Sequence, residues 1–216
     1  MEQSIIDLEK GLFLNTYNRL PIEISQGMGV HLFDKEGNKY LDFFSGLGVN
    51  ALGYAHPGIV HAVSTQIQKF AHLSNNYITD IQIDFTELLL KHSSMSKAFL
   101  TNSGTESVEG ALKLIRKHYG PEKKIFSLTG SFHGRTYGAV TLTGKEKYTK
   151  GFEPLLPGIE QINFNDAEDL HRKVDQKTAA VFIEFIQGEG GINVVSEEFA
   201  RDLIKLRDEY GFALIA

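Results

Sequence analysis

The sequence predicts an α/β fold in which a mostly parallel sheet carries helices on both faces. From Lys97 onward, short apolar runs alternate with helical or loop segments, a pattern typical of βαβ units. The predicted strands are KAFLT, KIFSL, GIEQINF, AAVFIEFI and FALIA. The chain has 216 residues, 42% of them hydrophobic. It is therefore long enough to bury one sizeable core.

The N-terminal part of the chain has a different pattern. Residues 30–44 contain two apolar runs around the turn Lys35–Asn38, which predicts a β-hairpin. Pro57 opens a predicted helix with an apolar stripe, and a second helix is predicted from about Asp80 to His92. The apolar residues expected to face inward on this second helix are Ile81, Phe85, Leu88 and Leu89. We place a boundary near Ala55, which gives an N-terminal segment 1–55 and an α/β domain 56–216.

Composition excludes several classes of function. A net charge of −5 disfavours a nucleic-acid partner, and no apolar run is long enough to span a membrane. The acidic N-terminus lacks the features of a signal peptide. The absence of cysteine excludes disulfides, thiolate zinc sites and thiol catalysis. We expect a soluble, cytoplasmic protein without a metal site.

A glycine turn follows the first predicted strand of the α/β domain. Ser103, Gly104 and Thr105 open a helix whose first N–H groups lack partners within the helix and favour an anion such as phosphate. Gly104 allows close backbone approach, and the two hydroxyls can donate hydrogen bonds. Ser103 and Glu106 also form a capping-box pattern, which needs no ligand. The pattern alone leaves both interpretations open.

A second turn, at residues 129–136, follows the strand KIFSL, where open α/β sheets place their ligands. Phe132 can lie against a flat heteroaromatic ring, and Arg135 can grip a carboxylate with two hydrogen bonds. The alternative is that Phe132 fills the core and Arg135 forms a surface ion pair. His133 is better explained as a structural histidine than as a catalytic base.

Two acidic residues accompany the strand AAVFIEFI. Glu184 is predicted inside this apolar strand, where a carboxylate must be paired or must shift its pKa. Glu189 follows in a glycine-rich loop at the carboxyl end of the strand. The alternative for Glu184 is a solvated position at a sheet edge.

Four ordered motifs together resemble the class III, pyridoxal-phosphate-dependent aminotransferases. They are TNSGTES, SFHGRTYGAVTLTGKEKYTKGFEPLLPG, IEFIQGEGGI and the N-terminal GVHLFDKEGNKYLDFFSGLGVNALGYAHP. The resemblance runs from about Tyr17 to Ala216. It implies the type I pyridoxal-phosphate-dependent transferase fold, in which a large α/β domain accompanies a smaller domain built from both chain ends. Segment 1–55 would belong to the smaller domain.

The resemblance also implies roles for individual residues. Gly104 and Thr105 would hold the cofactor phosphate, and Phe132 would stack on the pyridine ring. Arg135 would bind the substrate α-carboxylate, and Glu189 resembles a gate residue that helps one site accept two substrates. The cofactor-binding residues implied by the motifs are Ser103, Gly104, Thr105, Phe132, His133 and Glu184.

Within the family, the motifs are most similar to those of acetylornithine aminotransferases. Ornithine aminotransferases tend to carry Trp at the position of His133 and Tyr at that of Gly46, where a glycine leaves room for an Nα-acyl group. The implied reaction is transfer of an amino group from N-acetylornithine to 2-oxoglutarate in arginine biosynthesis, by a homodimer. Succinylornithine, ornithine and 4-aminobutyrate are the alternative donors.

The resemblance further implies that this chain is the N-terminal part of a larger enzyme. In the family, the strand at FALIA leads into the Asp that pairs with the pyridine nitrogen, and the Schiff-base lysine lies further on. Both positions fall beyond Ala216, so we expect the chain alone to be inactive, with a reduced or poorly folded sheet. The alternatives are a non-catalytic binding protein and a nucleotide-binding module, the latter disfavoured because no G-x-G-x-x-G is present.

Overall fold

The computed structural model describes residues 4–216 and divides them into two compact units. The first unit ends at Phe85, and the second runs from Thr86 to Ala216. This division lies further along the chain than the boundary expected near Ala55. That boundary stays a prediction about the domains of a whole enzyme.

The first unit contains a small antiparallel sheet and helices. Its elements are α1 (Ile5–Leu12), β1 (Ile24–Met28), β2 (His31–Asp34), β3 (Lys39–Leu41), α2 (Pro57–Lys69) and the first half of α3 (Asp80–Lys91). The strand order is β1-β2-β3, so the predicted hairpin is confirmed as β2 and β3. The Asp34 carboxylate fixes its turn by accepting hydrogen bonds from the Asn38 N–H and the Tyr40 hydroxyl, both at 2.7 Å.

Helices α2 and α3 start where the sequence predicts, but the expected burial of α3 is wrong. The four residues predicted to face inward are 44–57% exposed: Ile81, Phe85, Leu88 and Leu89. The helical periodicity is present, yet no residue of α3 is buried. Amphipathic spacing shows which side chains share a face and does not show what covers them.

The second unit has the predicted α/β architecture. Its elements are α4 (Gly104–Tyr119), β4 (Lys124–Leu128), α5 (Tyr137–Leu142), α6 (Glu146–Thr149), β5 (Ile159–Ile162), α7 (Ala167–Lys173), β6 (Thr178–Phe182), β7 (Ile186–Gln187), β8 (Asn193–Val194), α8 (Glu197–Tyr210) and β9 (Ala213–Ile215). The main sheet has the order β5-β4-β6-β9, and every neighbouring pair in it is parallel. Strands β7 and β8 form a separate short hairpin.

The strand predicted at KAFLT does not form. Residues 97–101 have no regular secondary structure, and the Phe99 side chain is 76% exposed. A strand needs a neighbouring strand for its main-chain hydrogen bonds. No strand lies beside this segment in the described part of the chain. The other predicted strands are confirmed as β4, β5, β6 and β9, so the sheet is reduced.

The parallel sheet is covered on both faces, as predicted. On one face, Phe126 and Val181 pack against Leu203 and Leu206 of α8 and Leu170 of α7. On the other face the packed residues come from β4, β6, α4 and α5: Ile125, Ala180, Phe182, Leu112, Ile115 and Leu142. Burial of this kind contributes about 25 cal/mol per Å² of apolar surface. The ends of these strands therefore sit on a well-packed support.

In the part of the chain that the structure describes, no helix is both long and apolar enough to cross a membrane.

Candidate active site

The predicted anion turn is the N-terminus of helix α4. The Ser103 Oγ accepts a hydrogen bond from the Glu106 N–H at 3.3 Å, and the Glu106 carboxylate accepts one from the Asn102 N–H at 2.6 Å. The expected cap is therefore present, with Glu106 returning to the residue before Ser103. Gly104 is exposed, and a Cβ built on it meets no atom within 4 Å. Open space thus lies next to unpaired helix N–H groups.

The second predicted turn comes very close to the first. The Thr105 and Thr136 hydroxyl oxygens are 2.9 Å apart. Gly134 has a φ of +126°, and a Cβ there would lie 2.2 Å from the Thr105 Oγ. Only glycine suits both this conformation and this distance. The structure therefore brings Thr105 of the anion turn against the turn that carries Phe132 and Arg135.

Glu184 supports Phe132 and does not lie within a strand. Strand β6 ends at Phe182, and the Ile183 N–H makes a last bond of the ladder to the Ile215 carbonyl at 2.8 Å. Glu184 follows in a half-buried position, where its carboxylate accepts a hydrogen bond from the Phe132 N–H at 2.8 Å. The predicted placement inside the strand is wrong because the apolar run continues past the last paired residue. The expectation that the Glu184 carboxylate has a partner agrees with its hydrogen bond from the Phe132 N–H.

His133 is held as a neutral ring. Burial lowers the pKa of its imidazole to about 4. Its N–H group on the main chain donates to the Thr143 Oγ at 3.1 Å, and its ring lies edge-on to Phe182 with centroids 5.9 Å apart. The His133 Nε2 is buried without a hydrogen-bond partner among residues 4–216. With a pKa of about 4 the ring is a weak proton acceptor near pH 7, which suits a structural role better than that of a general base.

Arg135 and Phe132 share a contact with Tyr148. The Arg135 guanidinium carbon lies 5.5 Å from the Tyr148 ring centroid, a cation–π distance. The Phe132 and Tyr148 rings meet edge to face with centroids 5.4 Å apart. Arg135 itself is exposed. The guanidinium group is therefore held against an aromatic ring at an exposed position.

The loop that carries Glu189 is attached to the same region. The Lys145 Nζ donates to the main-chain carbonyl of Glu189. The nearby Gln187 is buried and its amide donates to the Thr129 carbonyl at 2.9 Å. Glu189 is exposed. The glycine-rich loop therefore lies beside the turn that begins at Thr129.

Several residues of this region were missed by sequence reasoning. They are Glu109, Thr136, Thr143, Lys145 and Tyr148. Their partners are distant in sequence, and no local periodicity marks them. All of them except Glu109 lie within the motif that runs from Ser131 to Gly158, which was the only available signal.

The assembled groups favour a particular class of ligand. An exposed helix N-terminus with Gly104 attracts an anion. Phe132 offers an aromatic edge or face, and Arg135 offers paired donors for a carboxylate. All these groups belong to the second unit. A small molecule with a phosphate, a flat ring and an attached carboxylate would match this set.

The chain belongs to the aminotransferase class-III family, whose model matches residues 13–216. The predicted family is thereby confirmed.

The chain is also similar to individual curated proteins of this family. The chain is 46% identical over 207 residues to an acetylornithine aminotransferase of Aquifex aeolicus, covering 94% of this chain and 55% of that protein. It is 44% identical over 213 residues to an acetylornithine aminotransferase of Clostridium acetobutylicum, covering 96% and 55%. The chain thus spans about half the length of the curated relatives it matches.

A solved ornithine aminotransferase from Toxoplasma gondii, described with partial occupancy of PLP at its active site, is similar in structure. The TM-score is 0.90 at 26% identity, over 96% of this chain and 50% of that one. The predicted fold class, part of the large domain of a pyridoxal-phosphate-dependent transferase, is confirmed.

Proposed function

We propose that the whole protein to which these residues belong is a pyridoxal-phosphate-dependent aminotransferase that transfers an amino group from N-acetylornithine to 2-oxoglutarate. The observation that carries the proposal is the meeting of two turns. The hydroxyl of Thr105, in the anion turn, forms a hydrogen bond with that of Thr136, the residue next to Arg135. One small molecule can therefore reach an anion site and a carboxylate grip together. Membership of the class III family and the names of the relatives support it.

The residues present fit the cofactor. Gly104 borders open space where a phosphate can approach the first N–H groups of α4. Glu184 holds Phe132 through its main-chain N–H, so its ring, which also contacts Tyr148, can be packed against a pyridine without disturbing that hydrogen bond. The unpartnered His133 Nε2, buried among the described residues, offers a further polar contact. When bound, pyridoxal phosphate supplies the electron sink for amino transfer.

The remaining residues bind and orient the substrates. Arg135 would hold the α-carboxylate that the amino donor and 2-oxoglutarate have in common. Glu189 would take part in accommodating their different side chains. Two groups that the chemistry requires have no matching position up to Ala216: the lysine bonded to the cofactor and the Asp that pairs with its ring nitrogen. We expect both in the remainder of the whole enzyme, which we expect to be a homodimer.

The choice of amino donor depends mainly on the relatives. Gly46 was expected to leave room for an acyl group. Its φ of +63° and the 2.8 Å approach of a built Cβ to Asn50 give a glycine here a structural reason as well. Gly46 therefore carries less weight than identities of 46% and 44% to acetylornithine aminotransferases. Succinylornithine, ornithine and 4-aminobutyrate remain the alternative donors.

The first experiment determines the mass of the protein as its source makes it, and then its donor preference. A mass well above 24.1 kDa would show that Ala216 is internal. The purified protein is then assayed with 2-oxoglutarate and each of the four donors. We expect the highest kcat/KM with N-acetylornithine. A higher value with another donor would change the assignment, and no transfer with any donor would overturn it.

A mass of 24.1 kDa would favour the second candidate, a non-catalytic binding protein. Borohydride treatment with pyridoxal phosphate distinguishes the two. An enzyme traps the cofactor on one lysine, whereas a chain without the required lysine gives scattered labelling or none.

Replacement of Arg135 tests the carboxylate grip. In the whole enzyme, we expect Arg135→Ala to raise KM for both carboxylate substrates by about 100-fold, since a bidentate charged contact is lost. The visible cofactor band should be unchanged. Arg201→Ala, an exposed arginine on α8, is the matched control and should behave as wild type. Loss of the cofactor band in Arg135→Ala would contradict the assigned role.

A further inference from the structure

One carboxylate oxygen joins the two turns of the candidate site. Glu109 lies half-buried on α4, and its Oε1 accepts a hydrogen bond from the Thr136 hydroxyl at 2.5 Å. The same oxygen accepts from the N–H groups of Gly138 at 2.9 Å and Ala139 at 3.1 Å. Three donors from one short segment thus converge on a side chain from the helix of the anion turn.

Glu109 replaces the usual cap of helix α5. Thr136 occupies the N-cap position but makes no capping bond with its own side chain. The distant carboxylate satisfies the first N–H groups of α5 instead. A Cβ on Gly138 would lie 2.3 Å from the other oxygen of Glu109, so a glycine is needed here for the carboxylate to approach. The start of α5 is therefore anchored to α4.

The three side chains form a hydroxyl chain with a fixed direction. A carboxylate oxygen can only accept a hydrogen bond, so the Thr136 hydroxyl must donate its hydrogen to Glu109. The Thr136 oxygen then receives the hydrogen of Thr105 across 2.9 Å. The order is Thr105 to Thr136 to Glu109. This arrangement leaves the main-chain N–H of Thr105, rather than its hydroxyl, to face an anion at the turn.

We propose that Glu109 is a positioning residue that fixes Arg135 relative to the anion turn and so sets the affinity for carboxylate substrates. Arg135 immediately precedes Thr136, the residue that Glu109 holds. A two-hydrogen-bond contact with a carboxylate depends on the orientation of the guanidinium plane. Without Glu109 the start of α5 loses three hydrogen bonds. The main chain beside Arg135 is then no longer held in one position, so the orientation of the guanidinium group is no longer fixed. This inference rests on the proposed function, because it assumes that Arg135 binds the substrate carboxylate.

The test uses the whole, cofactor-loaded enzyme with Glu109→Ala and Glu109→Gln. For Glu109→Ala we expect KM for the amino donor and for 2-oxoglutarate to rise by about tenfold, with kcat within about twofold. The dissociation constant of 2-oxoglutarate, measured by calorimetry without turnover, should rise by the same factor. Glu109→Gln keeps an oxygen acceptor and should rescue most of the loss. Lys117→Ala, on the exposed side of α4, is the control and should match wild type.

A double-mutant cycle with Arg135→Ala separates positioning from general support of the fold. If Glu109 acts through Arg135, Glu109→Ala adds no further loss of 2-oxoglutarate affinity once Arg135 is absent. Independent, multiplying effects would overturn the inference. So would a Glu109→Ala enzyme with a lower melting temperature and unchanged KM and dissociation constant. Should Glu109→Ala fail to fold, Glu109→Leu, which fills the same space without an oxygen acceptor, decides: an unchanged dissociation constant and KM there would overturn the inference.

The proposed function and this inference fail in different ways. Wild-type enzyme that binds 2-oxoglutarate but transfers no amino group would overturn the function, while the dissociation constants of the variants would still decide the role of Glu109. Wild-type enzyme that does not bind 2-oxoglutarate would overturn both.

Discussion

The two units of the chain treat their apolar side chains in opposite ways. Within residues 4–216, every buried hydrophobic residue lies between Leu112 and Phe212. In the first unit, Phe43 is 93% exposed and Ile78 is 91% exposed. The second unit therefore contains its own core. In the first unit the apolar side chains are largely exposed and have no covering layer among the described residues. We expect the whole enzyme to provide that layer.

This contrast shows that the hydrophobic periodicity of a helix does not determine whether its apolar side chains are buried. Helix α3 has the predicted period and begins at the predicted residue, yet it has no buried residue. Helix α4 has a comparable stripe, and its Leu112 and Ile115 are buried because β4 and β6 supply a facing layer. Spacing predicts a face, and only the fold supplies its partner.

The largest expected effect is a core truncation in the second unit. Phe126 on β4 is fully buried, so Phe126→Ala should lower the free energy of unfolding by about 3–5 kcal/mol. The matched change in the first unit, Phe43→Ala, should alter it by less than about 0.5 kcal/mol. Urea unfolding of the 216-residue chain measures both. Equal effects would abolish the contrast, and absence of any cooperative transition would support the expectation that the chain folds poorly alone.

The next effect depends on pH and belongs to the second unit. Burial lowers the pKa of His133 from 6.5 to about 4. Between these values the unfolded chain binds a proton that the folded chain does not, so stability is lost as pH falls through this window. The loss amounts to about 3 kcal/mol at pH 4 and below. Unfolding free energies at pH 7 and pH 4 measure it.

His133→Gln removes the titrating group and should reduce this pH dependence. The control is His118→Gln on α4, whose ring is exposed, and it should keep the wild-type dependence. The same slope in all three proteins would show that the His133 ring is not buried in solution.

The smallest effect concerns Asp34, the one buried residue among the described residues of the first unit. Burial would raise the pKa of Asp34, but hydrogen bonds from Asn38 and Tyr40 outweigh it and lower that pKa. The contribution of Asp34 is therefore present above its unfolded pKa and is lost as pH falls through the lower, folded value. Asp34→Ala should speed amide hydrogen exchange in the hairpin and leave β4 unchanged. Faster exchange in β4 as well would show that the units are coupled.

Sequence reasoning was most successful where one local pattern determines the structure. The cap at Ser103 and the hairpin turn after Asp34 both follow from short-range chemistry. It failed at KAFLT because a strand exists only with a neighbour, and at Glu184 because an apolar run does not reveal its last paired residue. The link from Glu109 to Thr136 joins residues 27 positions apart, which no periodicity can signal.

The order of the parallel sheet has a consequence for synthesis on the ribosome. The first strand to emerge, β4, is bordered by β5 on one side and β6 on the other, and β9 adds beside β6. Each strand therefore joins an edge that already exists when it leaves the exit tunnel. Domains fold as they are made, from the amino end. No two paired strands of this sheet have to separate for a strand that is synthesised later to insert between them. The nascent chain can therefore assemble the sheet from its centre outward without rearrangement.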